Sequence, residues 1–184
     1  MRMNKQAALR KIAREIEHCD ECKKDKIGMA VPGEGNPDAD IVFIGEAPGK
    51  TESTTGRPFV GRSGKLLRTL INEVGLKEEN IFITSPVKYL PKRGTPTQAD
   101  ITHGKTHLDK QLKIIDPKII VLMGSTACLG VLGEKIFVMK DHGKIVEKEE
   151  RKYLIMLHPA AAIRFQKFRG IFMKDFTLLP TLFK

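Results

Sequence analysis

The chain has 184 residues, 41% of them hydrophobic, enough for one buried core without covalent staples, and the expectation is a single domain over 1–184. Its 32 Lys and Arg against 22 Asp and Glu give a net charge of +10 and a pI of about 9.6, a balance that attracts polyanions and puts nucleic acid first among partners. No apolar run approaches the roughly 20 residues of a membrane span. The segment from Met1 to Arg14 reads as a charged helix rather than a signal peptide, and three cysteines with one tight pair make no secreted disulfide framework. Together these features point to a soluble, monomeric protein of the reducing cytoplasm.

Along the chain, Ala8, Ile12 and Ile16 fall at helical spacing and lead into Cys19-Asp20-Glu21-Cys22, an amphipathic helix running into a cysteine knuckle. A Gly- and Pro-rich loop follows from Gly28 to Asp38. Ile41-Val42-Phe43-Ile44 is a short continuous apolar run entering a glycine turn, the pattern of a buried parallel strand with a functional loop at its C-terminal end. The same pattern returns at Ile81 to Ile83, Ile119 to Leu122 and Tyr153 to Leu157. Helical patterns separate them, from Ser63 to Val74, Gln98 to Ile115 and Thr126 to Leu132. A last helix is expected from about Phe168 to Leu182, with Pro180 disturbing its final turn. Alternating strands and helices predict an α/β fold: a three-layer α/β/α sandwich around a mainly parallel four-stranded sheet, its ligand crevice at the carboxyl ends of the strands.

Three of those strand ends carry distinctive residues. Gly45-Glu46-Ala47-Pro48-Gly49 follows the first strand, Thr55-Gly56-Arg57-Pro58-Phe59-Val60-Gly61 comes soon after, and His158-Pro159-Ala160-Ala161 lies near the end. In this order the set resembles the uracil-DNA glycosylase superfamily, and most closely its family 4, over nearly the whole chain. The resemblance implies a monofunctional DNA glycosylase of base excision repair. Such an enzyme extrudes a damaged nucleotide from DNA, reads the base by stacking and edge hydrogen bonds, and hydrolyses its glycosidic bond.

Breaking that bond builds positive charge on the sugar and negative charge on the departing base, so a fixed hydrogen-bond donor facing the base lowers the barrier. His158, at the family's catalytic position, is the candidate donor. Phe59 is the candidate stacking floor, and the backbone from Gly45 to Gly49 would line base and sugar. By the same resemblance Ala47 replaces a water-activating Asp of family 1, Glu46 is a candidate for orienting water, and Glu52 occupies the place that shields the C5 edge of the base. Small residues and cations near strand ends suit phosphate contacts, which makes Gly61, Ser63, Lys88, Ser125 and Arg164 candidates. Ile163, after the His-Pro motif, is the candidate wedge for the space a flipped nucleotide leaves.

Two features depart from the family. Family 4 reads uracil with an Asn in a segment like ITNVVKC, where this chain has Ile83-Thr84-Ser85-Pro86-Val87-Lys88-Tyr89. The hydroxyl of Ser85 cannot both donate and accept as a side-chain amide does, so a related deaminated or modified base stays open as substrate. Family 4 also holds a [4Fe-4S] cluster on four cysteines. Cys19 and Cys22 match the first pair, but Tyr89 and Gly104 stand at the other two positions, which argues against that cluster. His103 and His107 flank Gly104, so Cys19, Cys22, His103 and His107 could instead make a Cys2His2 zinc site. The alternative is a charged helix showing two histidines to solvent. Two rival functions remain at this level. One is a catalytically weak DNA-binding or damage-sensing homologue. The other, a nucleotide-binding α/β protein, is remote, because no GxxxxGK(S/T) or GxGxxG is present.

Overall fold

The computed structural model describes residues 4–183, the last of them by its backbone alone. Helix α1, Lys5–His18, buries Leu9, Ile12 and Ile16 along one stripe and begins at Asn4, whose side chain accepts from the Ala7 N–H. Its expected start at Met1 lies outside the described residues. Cys19 ends α1 and opens the single turn α2, Asp20–Lys23. Two short strands follow, β1 at Lys26–Ile27 and β2 at Glu34–Gly35.

Strand β3, Ile41–Ile44, is buried at every position, as its unbroken apolar run requires. The motif loop after it contains helix α3, Lys50–Thr55, and runs into α4, Arg62–Glu73. Strand β4, Ile81–Thr84, is followed by the two-residue β5, Leu90–Pro91, and by α5, Gln98–Ile115, whose start is fixed by a capping box between Thr97 and Asp100. Then come β6, Ile119–Met123, α6, Ser125–Leu132, and the short α7, Val138–Asp141. The chain continues with β7, Ile145–Lys148, β8, Arg151–Met156, α8, Pro159–Arg164, and α9, Gln166–Phe176.

The main sheet has the order β2-β4-β3-β6-β8-β7. Its four central strands are parallel and are the four expected, while β2 and β7 add antiparallel edges, so six strands replace the anticipated four. Helices α1, α5 and α6 pack together as one group, and α4, α8 and α9 as another, giving the three layers of an α/β/α sandwich. A separate two-stranded ribbon joins β1 to β5.

The expected last helix is shorter than its pattern. It stops at Phe176, and a 3-10 turn over Leu179–Phe183 follows, because Pro180 has no N–H to continue the α-helical ladder. No described helix is long and apolar enough to cross a membrane.

Candidate active site

The C-terminal ends of β3, β4 and β8 open onto one crevice of about 230 Å³. Glu46, Ala47, Pro48, Gly49, Glu52, Phe59, Ser63, Ser85, His158 and Ala160 line it. Because the chain adds β4 on one side of β3 and then crosses to β6 on the other, the crevice sits where the winding of the sheet reverses, the usual ligand position in such folds.

Phe59 and His158, 99 positions apart in sequence, face each other there, with ring centroids 6.0 Å apart and planes inclined by 36°. Phe59 has φ 51°, unusual for a bulky residue, and its surroundings hold it in that conformation. Its ring lies so close over Gly45 that a Cβ there would come within 2.4 Å of the ring, and a Cβ on Gly64 would overlap the Phe59 backbone at 2.0 Å. Oε1 of Glu52 accepts from the N–H groups of Val60 and Gly61 at 2.9 and 2.8 Å. From the other side Arg68 donates to the carbonyls of Phe59 and Pro58, both at 3.0 Å. Arg68 is itself paired with Glu34 and Glu78, and Glu34 also binds Arg57. The loop carrying the candidate stacking ring is therefore gripped through both its donors and its acceptors.

His158 caps helix α8, its Nδ1 accepting from the Ala160 N–H at 3.2 Å. An imidazole whose Nδ1 accepts carries its proton on Nε2, the nitrogen nearer Gly45. Burial pushes the pKa of this ring down to about 4, so it is neutral at physiological pH and still a hydrogen-bond donor. The site thus presents an uncharged N–H beside an aromatic face.

The remaining candidates divide. The Glu46 carboxylate accepts from Thr126 Oγ1 at 3.0 Å, a tether from the start of α6 that the sequence did not signal. Ser85 is buried and donates to the Val87 carbonyl at 2.8 Å, so its hydroxyl proton is engaged within its own loop and its lone pairs are left to accept. Ser63 lines the crevice, and Gly61 is the N-cap of α4 beside it. Ser125 is exposed at the start of α6 and lines a different hollow. Ile163 and Arg164 are exposed on α8, with the Arg164 guanidinium over the ring of Phe165, another exposed apolar residue of this rim.

Lys88 is not a surface cation. It is only 2% exposed, and Nζ donates to Thr84 Oγ1, Gln111 Oε1 and the Pro32 carbonyl at 2.7, 2.8 and 3.2 Å. Burial lowers its pKa to about 7, and phosphate cannot reach it. Its position after β4 suggested the DNA-binding face, but the side chain turns inward to satisfy a loop carbonyl, a hydroxyl and an amide oxygen.

Comparison with known proteins agrees with this architecture. The sequence profile of the uracil DNA glycosylase superfamily matches residues 32–177. The chain belongs to that superfamily. It is 42% identical to the type-4 uracil-DNA glycosylase of Sulfurisphaera tokodaii, over 95% of this chain and 84% of the relative. The type-4 enzyme of Saccharolobus solfataricus is 39% identical, over 90% and 82%, and that of Archaeoglobus fulgidus 35%, over 94% and 96%. Within the superfamily the chain therefore stands with family 4, a family of DNA glycosylases.

Apart from the crevice, Cys19, Cys22, His103 and His107 come together, with one potential ligand atom from each lying within 4.8 Å of the others. None of the four lines the crevice.

Proposed function

We propose that the chain removes uracil, or a closely related deaminated base, from DNA by hydrolysing the glycosidic bond and leaving an abasic site. The observation that carries this reading is the pairing of the Phe59 ring with the neutral, Nε2-protonated imidazole of His158 in one crevice. A pyrimidine stacked on Phe59 places a carbonyl oxygen within reach of His158 Nε2. As the bond to the sugar breaks, negative charge gathers on that oxygen, and a donor held by an N-cap stabilises it with little reorganisation. Because the imidazole starts neutral, it strengthens its hydrogen bond as charge develops without giving up a full proton.

The sugar becomes cation-like in the same step. Glu46, held by Thr126, is the carboxylate of the crevice suited to face it and to orient the attacking water, since Ala47 offers no polar group. Glu52 narrows the crevice while its Oε1 holds the Phe59 loop, so exclusion of a C5-methyl group and loop positioning come from one side chain. None of the crevice-lining residues is a lysine, which fits water rather than an imine-forming amine as the nucleophile. Ser63, Ser125 and Arg164 contact phosphates in this reading, while the Gly61 N–H is taken by Glu52, and the apolar residues on α8 and beyond it fill the gap left by the extruded nucleotide.

The test is a panel of single- and double-stranded oligonucleotides carrying uracil, hypoxanthine or a modified pyrimidine, treated with alkali after incubation. Cleavage at uracil that His158→Ala lowers by on the order of a hundredfold or more supports the proposal. Salt-sensitive binding with no cleavage of any substrate would show a DNA-binding homologue instead. Because Ser85 can accept but not also donate as an amide does, we expect weaker discrimination among pyrimidines than an Asn would give.

A further inference from the structure

We propose that Cys19, Cys22, His103 and His107 bind a single zinc ion that ties the N-terminal helices to α5, at the place where family resemblance implies an iron-sulfur cluster. The cluster does not fit. The family's [4Fe-4S] cluster rests on four thiolates, and this chain has no cysteine at two of the four positions. Tyr89 is buried among Ile12, Ile16 and Cys22. At Gly104 a Cβ of any kind would stand 2.1 Å from the Pro86 carbonyl oxygen, so a cysteine there requires the backbone to move.

The residues present fit one ion. Cys19 Sγ and His103 Nε2 are 3.1 Å apart, and the whole set of ligand atoms lies within 4.8 Å. A tetrahedral zinc with bonds of about 2.3 Å to sulfur and about 2.0 Å to nitrogen sets its ligand atoms roughly 3.3–3.8 Å from one another. Shifts of about one ångström or less, bringing the most separated atoms together and easing Cys19 Sγ slightly away from His103 Nε2, fit the group around an ion of that size. A cluster puts each ligand on a separate iron and would have to push the same atoms apart.

Burial gives the second reason. His107 is 6% exposed, and among the described residues neither ring nitrogen has a hydrogen-bond partner. Such a side chain is destabilising if left unsatisfied, and bonding one nitrogen to a metal relieves part of that cost. The Cys22 N–H donates to Cys19 Sγ at 3.4 Å, the kind of contact that orients a thiolate toward a metal. Two thiolates and two imidazoles in a tetrahedron favour zinc among common ions.

The ion would be structural. It joins the Cys19–Cys22 knuckle to the His103–His107 turn of α5, and none of its ligands reaches the crevice. The proposal does not depend on which base is excised. It is tested on the full chain purified without oxygen from cells supplied with both iron and zinc, by elemental analysis and acid-labile sulfide. One zinc per chain and no sulfide is the expected result. Iron with sulfide, or protein that holds no metal and takes up neither zinc nor cobalt, would overturn it. Cobalt exchange adds a spectroscopic readout: a tetrahedral cobalt spectrum in wild type and in His18→Ala, lost in Cys19→Ser and His107→Ala whose circular dichroism is unchanged. A spectrum that survives both ligand substitutions would place the metal elsewhere and refute the site.

Discussion

Acidification singles out His158, because the pKa of about 4 produced by burial separates it from an ordinary histidine at 6.5. With that value about one molecule in a thousand carries the proton at pH 7, and about one in ten at pH 5. Lowering the pH from 7 to 5 then removes only about a tenth of the donor-competent form, whereas an ordinary imidazole would lose about 25-fold of its neutral form over the same interval. The assay is single-turnover excision of uracil from a single-stranded oligonucleotide between pH 4.5 and 8, read beside ring-nitrogen NMR of His158. A flat rate down to about pH 5 is expected. A wild-type inflection near 6.5 that disappears in His158→Gln would refute the reasoning. Stability follows the same sign. The folded pKa lies below the unfolded one, so the unfolded chain takes the proton first, and this residue's contribution is present above about 6.5 and lost as pH falls through about 4.

Further substitutions probe the neighbours of that ring. Phe59→Ala removes a base-stacking surface worth about 1–3 kcal/mol and is expected to lower kcat/KM by about ten- to a hundredfold in steady-state excision assays. Arg68→Met leaves every crevice-lining group in place but frees the carbonyls of Pro58 and Phe59; kcat/KM is expected to fall by about tenfold, and a rate equal to wild type would show that the grip on the loop is unimportant. Lys88→Met is expected to lower thermal stability, since Gln111 Oε1 and Thr84 lose a donor, while leaving the salt dependence of DNA binding unchanged; Arg164→Ala is expected to flatten that dependence by about one phosphate contact.

The central strands were legible because each is a short apolar run too brief for a helix and buried on both faces, and α5 was legible to the residue because Thr97 caps its start. The two edge strands were not. The β7–β8 hairpin turns on Glu149 and Glu150, both at positive φ, where a tight hairpin normally signals itself with Asn-Gly or Asp-Gly. Strand β2 spans only Glu34–Gly35 inside a stretch whose Gly and Pro content reads as loop. In the crevice, motif order brought Phe59 and His158 forward, but their supports were hidden. Nothing local in sequence marks Gly64 as the residue that admits the Phe59 backbone, Arg68 as the donor that holds it, or Thr126 as the partner of Glu46. Lys88 shows the opposite failure: a cation at a strand end suggests phosphate, yet only the fold reveals that it faces the protein interior.

Where the base sits can be seen in a crystal structure of the protein with a uracil-containing oligonucleotide. An extruded pyrimidine is expected against the ring of Phe59, with a carbonyl oxygen at hydrogen-bond distance from His158 Nε2. A base bound away from both side chains, or an imidazole contacting it through Nδ1, would rule out the stacking and donor roles of Phe59 and His158.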